Sequence, residues 1–308
     1  MGRVKVRRTH REELPGIALL RESMGLGTPH GSTRNQVLDL DMEIDPNLAH
    51  LAAHDNNGFF SAVDHEETLG YGVAHVRSRQ WVLSEMAVLP EHRGRGAGSL
   101  LLSRLLAYGE RSGVRSHLAV VPPDPAATAL LLGHGFRPLM PLYRFTLSAE
   151  TAAELGDALA RLLPGHDQSQ ELLERRGQAD LDRIDKVVRG LTREVDHVFW
   201  LKRLGLDVSF IRQGARIAAY GYGGRAQVGP VAGTTQEATL AALGQAMRSA
   251  LAAAPGRPLA VRVPAAFEPA IEALLDGGAV LEDGAAEIYV KGEAPPLDRY
   301  VAGLPCLP

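Results

Sequence analysis

Apolar residues between Phe59 and Leu89 fall in short runs cut by turn residues. That pattern predicts strands at Phe59–Val63, Leu69–Val76 and Trp81–Leu89, with a polar turn at His65–Thr68 and Pro90 ending the third strand. The period then changes. Leu101, Leu102, Leu105 and Leu106 share one face while Ser103 and Arg104 take the other, which predicts an amphipathic helix over Ser99–Glu110. A strand at Ser116–Val121, a helix at Pro125–Leu132 and a strand at Tyr143–Leu147 follow. Before Phe59 the chain reads as a short strand (Val4–Val6), a helix (Glu12–Met24) and a loop rich in Gly, Pro, Thr and Ser (Gly25–Asn35). A helix at Pro46–His54 follows, with Asp45 as cap and Pro46 in its first turn.

Ala149–Gln170 reads as a helix plus linker, and the pattern restarts at Glu171. Ala179–Leu204 is mostly helical. Strands are predicted at Val208–Arg212, Arg216–Tyr222, Ala226–Ala232, Leu259–Val263 and Glu287–Val290, and helices at Glu237–Ala253 and Phe267–Leu275. The two halves share one order of elements. Val88 and Ala119 are separated by nearly the same interval as Val231 and Val261, and Gly135 and Gly278 follow at similar distances. A tandem duplication explains this, although α/β chains often look alike at such resolution. The expected domains are 1–148, a linker at 149–170, and 171–308. The fold class is α/β (α+β), with a mixed, mostly antiparallel sheet flanked by helices in each half.

With 308 residues, 45% hydrophobic and 22% charged, the composition is that of a globular protein. A net charge of −3 gives no global attraction to nucleic acid or to anionic membrane. No segment has the roughly 18 consecutive apolar residues of a membrane span, and the N-terminus lacks the apolar core of a secretory signal. The single cysteine, Cys306, cannot form an internal disulfide. A reducing, cytoplasmic location is therefore expected.

The chemistry concentrates in Arg93-Gly94-Arg95-Gly96-Ala97-Gly98, between a predicted strand and a predicted helix. A helix N-terminus offers unpaired N–H groups and partial positive charge, and glycines let the backbone approach an anion closely. Arg93 and Arg95 add charge at the rim. The ligand these properties predict is a phosphate or pyrophosphate; the competing view is a tight turn with exposed arginines. Spacing excludes the Gly-x-Gly-x-x-Gly dinucleotide fingerprint, and no Lys-Ser/Thr pair follows as in a P-loop.

The run Met86-Ala87-Val88-Leu89-Pro90-Glu91-His92-Arg93-Gly94-Arg95-Gly96-Ala97-Gly98 resembles the signature strand and pyrophosphate loop of the GNAT superfamily of N-acetyltransferases. The family pattern Arg/Gln-x-x-Gly-x-Gly/Ala falls on Arg93, Gly96 and Gly98, and Gly135-Phe136 resembles its downstream Gly-Phe. The resemblance covers roughly residues 3 to 147. It implies that acetyl-CoA is the cosubstrate, with its pyrophosphate on the backbone of Arg93, Gly94, Arg95, Gly96, Ala97, Gly98 and Ser99. Its pantetheine arm would run along Met86, Ala87 and Val88, beside a splay from the strand at His117–Val121. The implied reaction is direct attack of a primary amine on the thioester, with a backbone N–H near Ala87 or Val88 stabilising the oxyanion. The family's usual tyrosine acid falls on Leu131, so that acid is missing and Tyr143 is the distant substitute.

For the base, Glu85 is the carboxylate on the signature strand. Strand alternation sets it opposite Ser84 unless a bulge intervenes, and family bases favour the positions of Ser84 or Val82. His117 titrates in the right range. Each of these also has a plain structural reading. His50 and His54, one helical turn apart, lack an evident third metal ligand, so no metal is expected. His30 is a weak candidate for the acceptor site, and Asp124 is explained by capping. In the second half the loop position reads Ala232-Gly233-Thr234-Thr235-Gln236-Glu237-Ala238, without arginine. That half resembles the degenerate C-terminal domains of tandem acetyltransferases and is not expected to bind coenzyme A. The leading function is acetyl transfer to a small-molecule amine by a monomer or homodimer. A non-catalytic acyl-CoA sensor and transfer of another acyl group are the alternatives.

Overall fold

The computed structural model describes residues 4–26, 45–65, 67–163, 166–167, 177–225 and 227–303. His30, Cys306 and most of the loop 25–35 lie outside these residues. The chain forms two compact units, 1–117 and 118–308.

In the first unit the elements are β1 (Lys5–Arg8), α1 (Leu14–Ser23), α2 (Pro46–His54), β2 (Phe59–Asp64), β3 (Glu67–Arg77), β4 (Gln80–Val88) and α3 (Ala97–Arg111). The order β1-β2-β3-β4 is antiparallel throughout. Asp45 caps α2 as its sequence predicts, accepting from the Asn47 N–H at 2.8 Å. α3 buries Leu101, Leu102, Leu105 and Leu106, the face that its period marked. Trp81, fully buried, donates its indole N–H to the Leu105 carbonyl at 3.0 Å and ties α3 to β4. The β3–β4 register pairs Val73 with Glu85 but Ala74 with Leu83, so Ser84 is an extra residue, a β-bulge.

Next come β5 (Ser116–Val121), α4 (Pro125–Gly133), β6 (Arg137–Leu147), α5 (Ala149–Ala160), β7 (His166–Asp167), α6 (Gly177–Arg189) and α7 (Glu194–Lys202). They are followed by β8 (Asp207–Gln213), β9 (Arg216–Gly224), β10 (Gln227–Gly233), α8 (Gln236–Ala253) and β11 (Leu259–Pro264). The chain ends with α9 (Glu268–Asp276), β12 (Val280–Leu281), β13 (Ala286–Gly292) and β14 (Tyr300–Val301). β5, most of which belongs to the second unit, begins the order β5-β13-β6-β11-β10-β9-β8-β7; β12 pairs with β6 and β14 with β10. β6 runs antiparallel to both β11 and β13, and β8 to β9, whereas β10 and β11 are parallel.

Three features of this unit were not legible in the sequence. β6 is inserted between β13 and β11, strands that come from far later in the chain. α5, read as the helix before a linker, is core: Ala152, Leu155 and Leu159 are buried, and Gly244 of α8 lies so close to α5 that an added Cβ would stand 2.7 Å from the Gly156 carbonyl. Small residues on both helices allow this approach. Ala179–Leu204, read as one mostly helical stretch, is two helices broken at Gly190, which adopts φ +73°.

Candidate functional site

The loop after β4 builds an exposed cradle. Gly94 and Gly96 adopt φ +75° and +82°, in the left-handed region, and the space a Cβ would fill at each is open. Gly96 is the N-cap of α3, and no side chain caps that helix. The first i→i−4 bond runs from Leu100 N–H to the Gly96 carbonyl at 3.0 Å. The N–H groups of Ala97, Gly98 and Ser99 therefore precede the intrahelical ladder at the positive end of the helix dipole. Arg93 and Arg95 are exposed at the rim, and Arg93 Nε donates to the Val88 carbonyl at 3.1 Å, pinning the loop to the end of β4. Arg95 reaches His92 Nδ1 at 3.5 Å.

β4 changes character along its length. Gln80 to Val82 are buried, whereas Leu83 to Val88, including Met86 and Ala87, are only half-buried. The part of the strand next to the loop is thus partly open to solvent.

The bulge decides where the candidate bases point. Tyr71 and His75, four residues apart on β3, lie on one face of the strand. The Tyr71 hydroxyl donates to Glu85, and His75 Nδ1 shares a 2.7 Å hydrogen bond with Ser84 Oγ. Ser84 and Glu85, though consecutive, serve the same face. Glu85 is heavily engaged: Arg21 of α1 donates to its two oxygens from Nε at 2.7 Å and Nη2 at 2.9 Å, and reaches Asp45 from Nη1 at 3.0 Å. Burial draws the Arg21 guanidinium down, and Glu85 and Asp45 more than reverse this. Burial and then the Glu85 carboxylate push the Tyr71 phenol far up, so it stays a donor. For Asp45, burial raises the carboxyl but Arg21 and the Asn47 bonds leave it below the ordinary range.

The remaining candidates are placed differently. His117 is buried with its ring 5.5 Å from that of Trp81. Tyr143 lies on β6 in the second unit, edge-on to Phe145 and packed against the core there. Leu131 is buried. Asp124 caps α4 through the Ala126 and Ala127 N–H groups at 2.8 and 3.2 Å. His54 Nδ1 is bonded within its own helix to the His50 carbonyl, at 3.0 Å. Sequence reasoning missed Arg21, Tyr71 and His75. Two of these were signalled as polar residues at alternate positions of an apolar strand; nothing in the sequence ties Arg21 of α1 to β4.

The second unit closes the position that corresponds to the cradle. Thr235 caps α8, accepting from the Ala238 N–H at 3.2 Å, and Ala238 and Thr239 are fully buried. A Cβ at Gly233 would stand 2.5 Å from Thr239 Oγ1. A small pocket in this unit is walled mainly by apolar residues of β5, β6, β11 and β13, with Arg189 and Tyr300 beside them; the glycine loop takes no part in it.

Comparison with known proteins adds a family. Residues 29–136 match the model of the acetyltransferase (GNAT) family. Among solved structures, a candidate acetyltransferase from Pyrococcus horikoshii is similar at TM-score 0.73, with 14% identity, over 99% of this chain and 96% of its own. A GCN5-related N-acetyltransferase from Sphaerobacter thermophilus is similar at TM-score 0.59 and 14% identity, over 94% of this chain and 95% of that one. One from Kribbella flavida reaches 0.59 and 15%, over 94% and 71%. No curated protein matches the sequence. At these identities the solved structures speak for the fold.

Proposed function

Residues 29–136 constitute a GNAT-family domain, and from that premise we propose that the chain is an N-acetyltransferase that moves acetyl from acetyl-CoA to a primary amine of a small molecule by direct attack. The observation that carries this reading is the uncapped, glycine-flanked N-terminus of α3, joined by one exposed loop to a strand whose last six residues are half-buried. Coenzyme A suits both parts. Its pyrophosphate accepts from the N–H groups of residues 97 to 99, and the amides of its pantetheine arm match the strand backbone at Met86, Ala87 and Val88. The backbone N–H near Ala87 or Val88 serves as the oxyanion donor. A coenzyme A thiol needs no dedicated acid, which suits a buried Leu131 in the family's tyrosine position.

Calorimetry with acetyl-CoA tests the site. Gly96→Glu sets a side chain and a negative charge in the cradle and is expected to abolish binding in a folded protein; unchanged affinity overturns the reading. Arg93→Ala keeps the backbone donors and is expected to weaken binding by about 1–2 kcal/mol.

A second reading is a non-catalytic acyl-CoA sensor. It is favoured by Glu85, whose two oxygens are taken by Arg21, and by Leu131 at the acid position. Thiol release from acetyl-CoA over a panel of primary amines separates the two: binding without release in any member supports the sensor. The C-terminal half is read as a diverged copy that does not bind coenzyme A, because Thr235 occupies the N-terminus that the cofactor would need.

A further inference from the structure

We infer that His75, acting through Ser84, is the proton acceptor for the attacking nucleophile. The inference rests on acyl transfer at β4 as proposed above.

An amine or water that attacks a thioester must give up a proton, and a serine hydroxyl alone holds its own too tightly to accept one at neutral pH. A histidine behind it changes this. His75 is 4% exposed and cannot meet a substrate, while Ser84 is half-buried at the bulge, and the two share a 2.7 Å hydrogen bond. The carboxylate next to them is committed elsewhere. Glu85 would have to leave a two-pronged ion pair with Arg21, and the Tyr71 hydroxyl as well, before it could take a proton. The bulge therefore presents two adjacent groups to one face, one neutralised by a guanidinium and one backed by an imidazole.

The transfer balances. The nucleophile's bond to the thioester carbon forms as its proton passes to Ser84 Oγ. The Ser84 hydroxyl proton passes to Nδ1 of neutral His75, leaving an imidazolium. Collapse breaks the carbon–sulfur bond and expels the thiolate, which takes up the proton as the imidazolium releases it. The charged groups around the pair are Glu85, held by Arg21 which also reaches Asp45, and Arg77, two residues along β3 on the face of His75 and paired with Asp55 at 2.7 Å; α2, packed on β3, carries His50 and His54. His75 is a positioning and proton-storing residue; Ser84 is the group that touches the nucleophile.

Acetyl-CoA hydrolysis, with water as nucleophile, tests this without knowledge of the acceptor. Calorimetry first establishes acetyl-CoA binding; its absence in the wild type refutes the cofactor site and leaves the relay without a reaction. With binding present, the wild type is expected to release thiol with a rate that rises with pH through one ionisation. His75→Asn keeps a hydrogen-bonding group at the Nδ1 position but cannot store a proton. It is expected to lower the rate at least tenfold and to remove that rising limb, with acetyl-CoA affinity unchanged. Ser84→Ala, at a half-buried position, is expected to match it, and the double variant to lose no more than either single one. A thioester left intact by the wild type at every pH overturns the relay. So does a rising limb that survives in His75→Asn or in Ser84→Ala.

Discussion

Asp185 of α6 has no solvent exposure, and donors surround its carboxylate. Arg193 Nε lies at 2.9 Å, His197 Nε2 at 3.0 Å and the Tyr220 hydroxyl at 2.5 Å. Arg193 reaches on to the Tyr300 hydroxyl at 3.0 Å, and Tyr222 holds the other nitrogen of His197 at 2.8 Å. Burial pushes the Asp185 carboxyl up, and Arg193, His197 and Tyr220 more than reverse it, leaving it well below the carboxylate range. A carboxyl depressed in the folded state stabilises it above the unfolded pKa of about 4 and loses that contribution as pH falls further. Chemical denaturation is therefore expected to show stability declining below about pH 4, and less steeply in Asp185→Asn. That variant strands a buried guanidinium and is expected to cost about 3–5 kcal/mol at pH 7. The cluster was not legible in the sequence, because its members come from α6, α7, β9 and β14. The glycine loop ahead of α3 was, because its residues are contiguous.

At the level of elements, the second sheet strand and the long helix of the C-terminal half meet through missing side chains. A Cβ at Gly223 of β9 would stand 2.0 Å from the Ala246 carbonyl of α8, and one at Gly221 would stand 2.6 Å from that of Ala242. Backbone cannot yield as a side-chain tip can. Gly223→Ala is expected to force α8 off the sheet and lower the melting temperature by several degrees, measured by circular dichroism. Gly214→Ala, at a turn with open space around it, is expected to cost only its φ strain of about 1–2 kcal/mol. The halves also repeat their irregularities. β3 and β9 each carry an extra residue at their third position, Leu69 and Ala218, and β4 and β10 each carry one further along. The bulges thus fall at corresponding places in the two halves, a likeness that element order alone does not reveal.

For the molecule as a whole, the expected boundary at 148 has a testable consequence. β6 ends just before that boundary, at Leu147, yet it supplies the partner for β11 over Leu142 to Leu147 and for β13 over Arg137 to Leu142. A fragment of residues 149–308 would expose two strand edges and uncover the core around Phe145 and Val261. It is expected to aggregate or to lack a cooperative melt in size-exclusion chromatography and thermal denaturation. A monodisperse fragment with a sharp transition would contradict the strand order. Among the described residues no helix is long and apolar enough to cross a membrane.

Local rules wrote the element sequence into this chain. Strand and helix periods, the Asp45 and Asp124 caps, and the glycine loop all act between residues a few positions apart, so order and spacing suffice to read them. Strand neighbours, the residue squeezed out at Ser84, the Arg21 grip on Glu85 and the His75 contact depend on which surfaces meet after folding. Those meetings are chosen by packing and by the joint neutralisation of buried charge across distant segments, and periodicity carries no record of either.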